Sequence, residues 1–285
     1  MSADLHCHTK LSNSSMGIDD LLVLASKRGV DTIAITDQDC QAGTVRAKII
    51  GERKGITVIP GVELSSTHPK TGRTISILCY LSDSPDRLEG LCRRNMLARK
   101  KASQFMVLKA AQKFPITTEL VVKCATGATA IFEAHIMHAL MECGIADGIH
   151  GEVYNELFNP ESKSNIIVTP KFDDPASVIA AVHEAGGIAV LAKPGDDYEL
   201  IDDLCKAGLD GIEVRHPSHT EEQVEALAEI AKKKKLLSIS GTEFRGMYSD
   251  TPISIGDIQT SDADLKALMS YKSKMKKKAA AAAKK

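Results

Sequence analysis

Two histidines separated by one residue stand near the start of the chain, in the segment DLHCHT. Alternate side chains of a β-strand share a face, so His6 and His8 would point to one side and Cys7 to the other. Two neutral imidazoles that converge can bind one divalent ion. The spacing therefore predicts a metal site. The alternative is a pair of histidines that are only hydrogen-bonded in the mouth of a barrel.

Acidic residues at other predicted strand ends could complete such a site. Asp37 and Asp39 follow the second predicted strand, Glu63 the third and Glu243 the seventh. Two imidazoles with Glu63 and Glu243 form a ligand set suited to zinc, manganese or iron, with water as the potential nucleophile. A single carboxylate at a strand end is weaker support, because such residues often cap helices.

The chain also shows the alternation of elements that would bring these residues together. Short β-branched segments at residues 3–9, 31–37 and 56–65 alternate with helical patterns at residues 18–29 and 41–54. Repeated strand–helix units indicate a parallel sheet or a barrel. In barrel enzymes the loops at the carboxyl ends of the strands hold the chemistry.

The alternation is interrupted in the middle of the chain. After a fourth strand at residues 74–81, residues 84–165 are typical of helices rich in Arg and Lys, which predicts an inserted helical subdomain. Strand–helix alternation resumes near residue 175 and continues through a last strand near residues 236–244. The count is seven strands, one fewer than in an eightfold barrel.

Composition limits the class of protein. The chain has 285 residues, is 43% hydrophobic and carries a net charge of -1, enough apolar sequence for a sizeable core. Residues 272–285 contain seven lysines and no acid, so the remainder is acidic. This tail could contact nucleic acid or an acidic surface, although a solvated helix or a frayed end is the simpler interpretation.

Several classes are excluded by missing patterns. The sequence has no signal-like start and no apolar stretch long enough for a membrane span, so we expect a cytoplasmic protein without a membrane partner. Its seven scattered cysteines contain no CxxC pair, which argues against a disulfide framework or a zinc ribbon. No phosphate-binding glycine loop or nucleophile elbow is present.

Seven motifs together resemble the PHP (polymerase and histidinol phosphatase) superfamily up to about residue 260. In chain order they are DLHCHTKLSNSS, VDTIAITDQD, IPGVELSS, EAHIMHAL, AKPG, GIEVRHPSHT and SGTEFRG. The resemblance is greatest to stand-alone phosphoesterases that cleave small nucleotide or nucleoside phosphates and that hold up to three metal ions. It implies a distorted seven-stranded β/α barrel of residues 1–83 and 166–270, a helical insertion at 84–165 and a basic tail at 271–285.

The resemblance assigns metal ligands residue by residue. His6, His8 and Glu63 stand at ligand positions, and His135 takes the position of a ligand in an RPH-like motif. Glu243 replaces the aspartate of an SDFH-like motif. These five residues could still coordinate a metal.

Five other positions depart from the family pattern. Asn13 stands in place of an aspartate, and four histidines are replaced by Gln38, Ser76, Lys193 and Arg245. Each change removes metal-binding capacity or adds positive charge. The resemblance with these departures implies one divalent metal (manganese, zinc or iron) or none, in place of three.

The substitutions by lysine and arginine leave several functions open. Lys193 and Arg245 could hold a phosphate or another anion, with His216 also lining the pocket, or they could form internal ion pairs with the nearby acids. Lys193 with a depressed pKa could also act as a base or nucleophile. The hypotheses are a phosphoesterase of small phosphorylated metabolites, a catalytically inactive homologue, and a one-metal hydrolase of a different ester or amide.

Overall fold

A computed structural model describes the backbone of residues 2–282 and the side chains of residues 2–275. Its centre is a sheet whose seven strands lie in the order of the sequence. The strands are β1 (Ala3–Cys7), β2 (Thr32–Ile35), β3 (Thr57–Thr67), β4 (Thr74–Tyr80), β5 (Ile188–Leu191), β6 (Gly211–Arg215) and β7 (Leu237–Ser240). The predicted count of seven strands is confirmed, and the sheet forms a nearly closed barrel.

Strand direction departs from the simple strand–helix repeat at one point. β1, β2 and β3 pair in parallel, as do β5, β6 and β7, but β4 is antiparallel to both of its neighbours. The reason is the short connection between β3 and β4, in which Gly72 has a φ of +72°. A hairpin connection forces antiparallel pairing, whereas a parallel pair needs a longer crossover.

The two end strands meet without forming a long ladder. One parallel bridge joins Cys7 to Phe244, and the amide of His8 donates to the carbonyl of Phe244 at 3.0 Å. The buried carboxylate of Asp4 accepts from the amide and hydroxyl of Thr242, at 3.0 and 2.6 Å. This seam places the end of β1 beside the residues that follow β7.

Helices surround the barrel and fill the insertion. They are α1 (Ile18–Lys27), α2 (Thr44–Lys54), α3 (Glu89–Lys113), α4 (Thr118–Cys124), α5 (Glu133–Glu142), α6 (Glu152–Phe158), α7 (Pro175–Glu184), α8 (Tyr198–Lys206), α9 (Glu221–Lys234) and α10 (Asp262–Ala282). Two 3-10 turns occur at Pro85–Leu88 and Gly246–Tyr248. Local signals explain the boundaries: α9 begins with a capping box of Thr220 and Gln223 and ends among lysines.

Apolar side chains fill the barrel interior at one end. Leu5, Ile59, Tyr80, Val190 and Ile239 are buried together there. Because this end is filled with apolar side chains, the polar residues of the barrel collect at the other end. The Tyr80 hydroxyl donates to the Leu5 carbonyl at 2.7 Å, so its one polar group is satisfied.

Between Leu88 and Pro175 the described residues form four helices and no strand. They share an apolar cluster of their own, which includes Met106, Val107 and Met137. The boundaries of residues 84–165 as a separate subdomain stay a prediction.

The predicted basic tail begins inside a helix. Within α10, the Tyr271 hydroxyl donates to Asp210 at 2.8 Å and the Lys272 ammonium donates to the Leu81 carbonyl at 2.6 Å, so the start of the tail packs on the barrel. Residues 283–285 of the tail lie outside the described part, and its contact with nucleic acid stays a prediction. None of the described helices is long and apolar enough to cross a membrane.

Candidate metal centre

The two histidines of the N-terminal motif lie side by side in the barrel. His6, on β1, and His8, just after it, are both fully buried, and their ring centroids are 5.3 Å apart. The Nε2 atom of each ring has no hydrogen-bond partner among the described residues. The predicted convergence of the two rings therefore holds in the structure.

Hydrogen bonds on the far side of each ring fix which nitrogen faces the site. Nδ1 of His6 lies 2.8 Å from Glu213 Oε1, and Nδ1 of His8 lies 3.2 Å from Ser12 Oγ. The hydroxyl of Ser12 donates to Asp37 at 2.6 Å, so it accepts from His8. Since carboxylates accept as well, both rings carry a hydrogen on Nδ1 and direct Nε2 inward.

Glu63 faces the two rings from β3. Its Oε2 atom lies 3.2 Å from His8 Nε2 and 3.7 Å from His6 Nε2. The separation of 3.2 Å is not a hydrogen bond, and both carboxylate oxygens of Glu63 are buried without a hydrogen-bond partner in the described part of the chain. The expectation that Glu63 follows the third strand was wrong: β3 continues to Thr67 in its hairpin with β4, so Glu63 lies inside the strand.

Among the described residues, His6, His8 and Glu63 thus have four buried ligand atoms without a hydrogen-bond partner. With Glu243, the three residues form a group whose candidate ligand atoms all lie within 4.8 Å of one another. Buried polar atoms are rarely left unpaired, and a divalent cation would satisfy all four. Two imidazoles with carboxylates suit zinc, manganese or iron, so the residues present fit a metal.

Glu243 occupies a different electrostatic environment from Glu63. Its Oε1 accepts from the Lys193 ammonium and, at 2.6 Å, from Nη2 of Arg245, while its Oε2 lies 2.8 Å from Nε2 of His216. Oε1 is also 4.0 Å from His6 Nε2. Glu243 therefore lies within reach of the metal group, but its lone pairs are already engaged by three side chains.

The balance of burial and charge differs among the four residues of this group. Burial lowers the pKa of His6, but Glu213, Glu63 and Glu243 outweigh it and raise that pKa to about 10. Burial lowers the pKa of His8. Burial would raise the pKa of both Glu63 and Glu243, yet the histidines beside Glu63 and the two cations beside Glu243 hold both well below the ordinary value.

Lys193 is not suited to act as a base. Burial lowers its pKa, but Glu243 and Glu63 more than compensate and raise it above the ordinary value. The possibility of a depressed pKa is therefore wrong for this structure, and the ammonium stays charged. Its side chain is 34% exposed, compared with 15% for Arg245 and 10% for Glu243, which makes Lys193 the more accessible cation.

Positions that depart from the family pattern are distributed around this group. The Nε atom of Arg245 and the Oδ1 atom of Asn13 are buried and have no hydrogen-bond partner among residues 2–275. Gln38 donates to Ser65 at 3.4 Å, and Ser76 pairs with Ser65 across the hairpin of β3 and β4. The fifth departed position, Lys193, forms an ion pair with Glu243.

The two aspartates after the second strand are also outside it. Asp37 accepts from the amide and hydroxyl of Thr9 and from Ser12. Asp39 accepts from Ser65, Asn95 and Arg99. Their bonds orient the surrounding loops. Of the acids considered as ion-pair partners of Lys193 and Arg245, Glu243 forms a pair with each of them.

His135 lies on α5 in the insertion. Its Nδ1 accepts from the Phe132 amide at 3.0 Å, and burial lowers its pKa to about 4. It does not belong to either group of candidate ligands among the described residues, so its assignment as a metal ligand stays a prediction. The predicted roles of Lys193, Arg245 and His216 in substrate binding also stay predictions.

Glu213 was missed by sequence reasoning. It lies on β6, is fully buried and forms a second group with His6 and His216. The sequence did contain a signal for this residue, because Glu213 stands between Ile212 and Val214 in a short strand. A charged residue flanked by apolar ones in a barrel strand would face the interior, where only a functional or paired carboxylate is tolerated.

Comparisons with known proteins find relatives that match most of the chain. A sequence-family model, described as PHP domain, matches residues 4–147, just over half of the chain. A phosphoribosyl 1,2-cyclic phosphate 1,2-diphosphodiesterase from Eggerthella lenta is 31% identical over 258 residues, which cover 88% of this chain and 97% of the relative. A 5'-3' exoribonuclease from Haemophilus influenzae is 28% identical and covers 85% of this chain and 89% of that protein.

Other relatives extend the comparison. A 3',5'-nucleoside bisphosphate phosphatase from Chromobacterium violaceum is 25% identical and covers 85% of this chain and 86% of that protein. A crystal structure of a predicted metal-dependent phosphoesterase from Bifidobacterium adolescentis superposes with a TM-score of 0.84 at 29% identity, covering 94% of this chain and 95% of that one. All four of these relatives carry names of enzymes that cleave phosphate esters or phosphodiester bonds.

Proposed function

Because the chain belongs to the PHP domain family, we propose that it is a metal-assisted phosphoesterase that hydrolyses a small, nucleotide-like phosphorylated substrate. The observation that carries the proposal is the convergence of His6, His8 and Glu63, whose buried ligand atoms have no hydrogen-bond partner in the described part of the chain. The names of the relatives from Eggerthella lenta and Chromobacterium violaceum support the substrate class.

One divalent ion would be held by His6, His8 and Glu63, with Glu243 at the edge of the group. When bound, such an ion supplies Lewis-acid polarisation of a phosphoryl oxygen and lowers the pKa of water. The side chains at the departed positions do not offer a second complete ligand set, since Asn13, Gln38 and Ser76 are poor metal ligands. Manganese, zinc and iron remain the candidate ions.

The chain's own cations supply the remaining positive charge. Lys193 and Arg245 lie beside Glu243, which holds both in place. Lys193, the more exposed, would contact a phosphate oxygen as a point charge, and Arg245 would donate through the guanidinium hydrogens that Glu243 does not use. Fixed donors of this kind stabilise charge that develops on phosphate in the transition state.

His216 would act as a donor at the same edge. The Ser218 amide donates to Nδ1 of His216 at 3.1 Å, so Nε2 carries the hydrogen and donates to Glu243. A phosphate that displaced one oxygen of Glu243 would meet the same donor. We therefore propose that Lys193, Arg245 and His216 form the substrate-binding edge and that the metal ligands form the interior.

One observation favours a second candidate function, an anion-binding protein without hydrolytic activity. Glu243 is already neutralised by Lys193, Arg245 and His216, so this edge is electrostatically complete without a metal. Two fixed cations provide charge but cannot activate water as a metal does. If the second candidate function is correct, the protein would bind a phosphorylated molecule and would not cleave it.

The test compares metal content with phosphate release. Wild-type protein, a His6→Ala/His8→Ala variant and a His219→Ala control would be loaded with manganese, zinc or iron and measured by plasma mass spectrometry. His219 is a suitable control because its ring bonds to the Gly195 amide and the Val214 carbonyl, outside the metal group. The same proteins would be assayed with nucleoside bisphosphates, a cyclic ribose phosphate and a short oligoribonucleotide.

We expect about one metal per wild-type chain and per control chain, none in the double variant, and phosphate-ester cleavage only where metal is bound. Metal binding with no cleavage of any ester, but with saturable binding of a nucleoside bisphosphate, would favour the second candidate. Absence of metal from the wild type would contradict the proposed function.

A further inference from the structure

A single buried carboxylate on β6 contacts both halves of the proposed site. Glu213 has no exposed surface. Its Oε1 lies 2.8 Å from Nδ1 of His6, and its Oε2 accepts from the backbone amide of Lys193 at 3.0 Å. Each oxygen of this side chain therefore engages one element of the site, a metal-ligand candidate on one side and a phosphate-binding candidate on the other.

The contact with His6 determines which ring nitrogen is available. A carboxylate can only accept, so Nδ1 of His6 carries a hydrogen and Nε2 is directed towards Glu63. If the ring turned over, Nδ1–H would lose its acceptor inside the barrel. His8 is held in the same sense by a neutral partner, the hydroxyl of Ser12. Glu213 and Ser12 each orient one histidine ring, and Glu213 is the charged residue of the two.

The contact with Lys193 acts on the backbone. Lys193 has a φ of +35°, in the left-handed region that residues other than glycine rarely adopt. Such conformations persist only where surrounding contacts hold them. The bond from the Lys193 amide to Glu213 is one such contact, and from this backbone position the Lys193 ammonium reaches Glu243. Loss of the carboxylate would leave the strained residue without this acceptor.

We propose that Glu213 is a positioning residue that orients His6 for metal binding and, through the backbone, places Lys193 at the phosphate edge. This inference rests on the proposed function, because His6 and Lys193 are residues that would hold the metal and the phosphate. It makes the two halves of the site interdependent, since one side chain supports both. Ser12 provides the contrast, because it supports His8 and does not touch Lys193.

The test uses a Glu213→Gln variant and a Ser12→Ala control. Glutamine keeps the shape of glutamate but has a single carbonyl acceptor, so it can satisfy either the His6 ring or the Lys193 amide and not both. Two quantities would be measured: the Zn²⁺ dissociation constant, by competition with a chelating dye, and the hydrogen-exchange rate of the Lys193 amide in the metal-free protein, by NMR. Circular dichroism would verify folding.

We expect Glu213→Gln to weaken Zn²⁺ binding about 10- to 100-fold, as for other residues that orient metal-binding histidines. The Lys193 amide should exchange at least about tenfold faster, because its acceptor is lost or shared. Ser12→Ala should weaken Zn²⁺ binding and leave the Lys193 amide unchanged. Faster exchange of the Lys193 amide in Glu213→Gln but not in Ser12→Ala would distinguish a positioning role of Glu213 from a general loss of structure.

If Glu213→Gln does not fold, Glu213→Asp retains the charge, and its side chain, shorter by one methylene, cannot reach both donors. The same loss of Zn²⁺ affinity and faster exchange are then expected. Unchanged Zn²⁺ affinity and unchanged Lys193 exchange in the folded variant would overturn the proposal. A wild type that binds none of Zn²⁺, Mn²⁺ and Fe²⁺ would contradict the proposed function instead, and the exchange rate of Lys193 in the metal-free protein would still decide the positioning role.

Discussion

Glu243 is the residue at which the charge balance of the site is decided. It receives two permanent cations and one imidazole donor, while Glu63, deeper in the barrel, faces only the two histidines at close range. Removing a partner from a buried carboxylate is costly, so Lys193 and Arg245 stabilise a carboxylate that would otherwise need a metal. The same cations repel a second divalent ion.

This balance predicts the effect of restoring a histidine at position 245. An Arg245→His variant removes one permanent positive charge and frees part of Glu243, so metal affinity should rise by about tenfold or more, equivalent to about 1.4 kcal/mol. Isothermal titration with Mn²⁺ would measure it, with Arg215→His as a control because Arg215 is half-exposed and pairs with Glu221. Affinity that is unchanged or weaker would contradict this charge balance.

The raised pKa of His6 predicts a pH dependence in the metal-free protein. The folded-state pKa is about 10, above the ordinary value of 6.5, so the protonated ring contributes stability that is fully present below about pH 6.5. That contribution is lost as the pH rises through about 10. We expect the stability difference between the wild type and a His6→Gln variant to shrink from pH 7 to pH 10 in urea titrations with chelator. A difference that stays constant over this range would show that His6 is not charged.

The sequence was sufficient to predict which residues lie in the site, but not which side chains pair with each other there. The HxH spacing predicted the two converging rings, since strand alternation alone determines it. The partners of Glu243 could not be selected from the sequence, because several acids lay at strand ends and only the loop conformations decide which one the cations reach. Asp37 and Asp39 were equally plausible by position, but hydroxyl and amide donors hold both of them, and Arg99 also donates to Asp39.

At the scale of elements, α3 connects the insertion to the barrel. Its buried Asn95 and Arg99 both bond to Asp39, and Arg99 also donates to the Ser65 hydroxyl at 2.7 Å. The Arg99 guanidinium lies 4.8 Å from the centre of the Phe132 ring. One helix face thus carries the contacts that fix the insertion above β2 and β3.

An Arg99→Ala variant should lose about 2–4 kcal/mol of stability, because a nearly buried ion pair with aromatic contacts is broken. The matched control is Arg94→Ala on the same helix, whose ion pair with Asp173 is solvent-exposed and should cost about 0–1 kcal/mol. Urea denaturation would measure both. Equal losses in the two variants would contradict the role of Arg99 as an anchor.

The order of the elements was largely predictable, whereas their directions were not. The strand–helix alternation predicted α1 and α2 within a few residues, and both helices bury one face. The antiparallel direction of β4 depends on a short turn containing Pro69 and Gly72, a hairpin signal that the strand–helix rhythm did not weigh. The role of α3 in connecting the insertion to the barrel depends on tertiary contacts, which cannot be predicted from the periodicity of apolar residues.

At the scale of the whole molecule, the site exists because the barrel nearly closes. His6 is on the first strand, Glu213 on the sixth and Glu243 after the seventh, so residues more than 200 positions apart in the sequence meet at one seam. Gly241 lies at this seam. A Cβ atom there would stand 2.5 Å from the His6 backbone nitrogen and 2.6 Å from His6 Cβ.

A Gly241→Ala variant should therefore separate β1 from β7 at the level of His6. We expect a loss of about 1–3 kcal/mol from overpacking, together with weaker metal binding because His6 is displaced. The control is Gly90→Ala in α3, where the nearest atom is Arg94 Nη1 at 3.8 Å and alanine should add about 0.5–1 kcal/mol. Urea denaturation and Zn²⁺ titration would test both effects. Wild-type metal affinity in Gly241→Ala would show that the seam does not control the site.

In the proposed site, one divalent ion binds between His6, His8 and Glu63, and the fixed cations of Lys193 and Arg245 take the place of further ions. Anomalous X-ray diffraction at the manganese edge, from crystals grown with Mn²⁺, would locate the ions. We expect one anomalous peak within bonding distance of Nε2 of both histidines and of Glu63, and no peak beside Lys193 and Arg245. A structure without a peak at the histidines, or with two or three metal ions in the site, would contradict it.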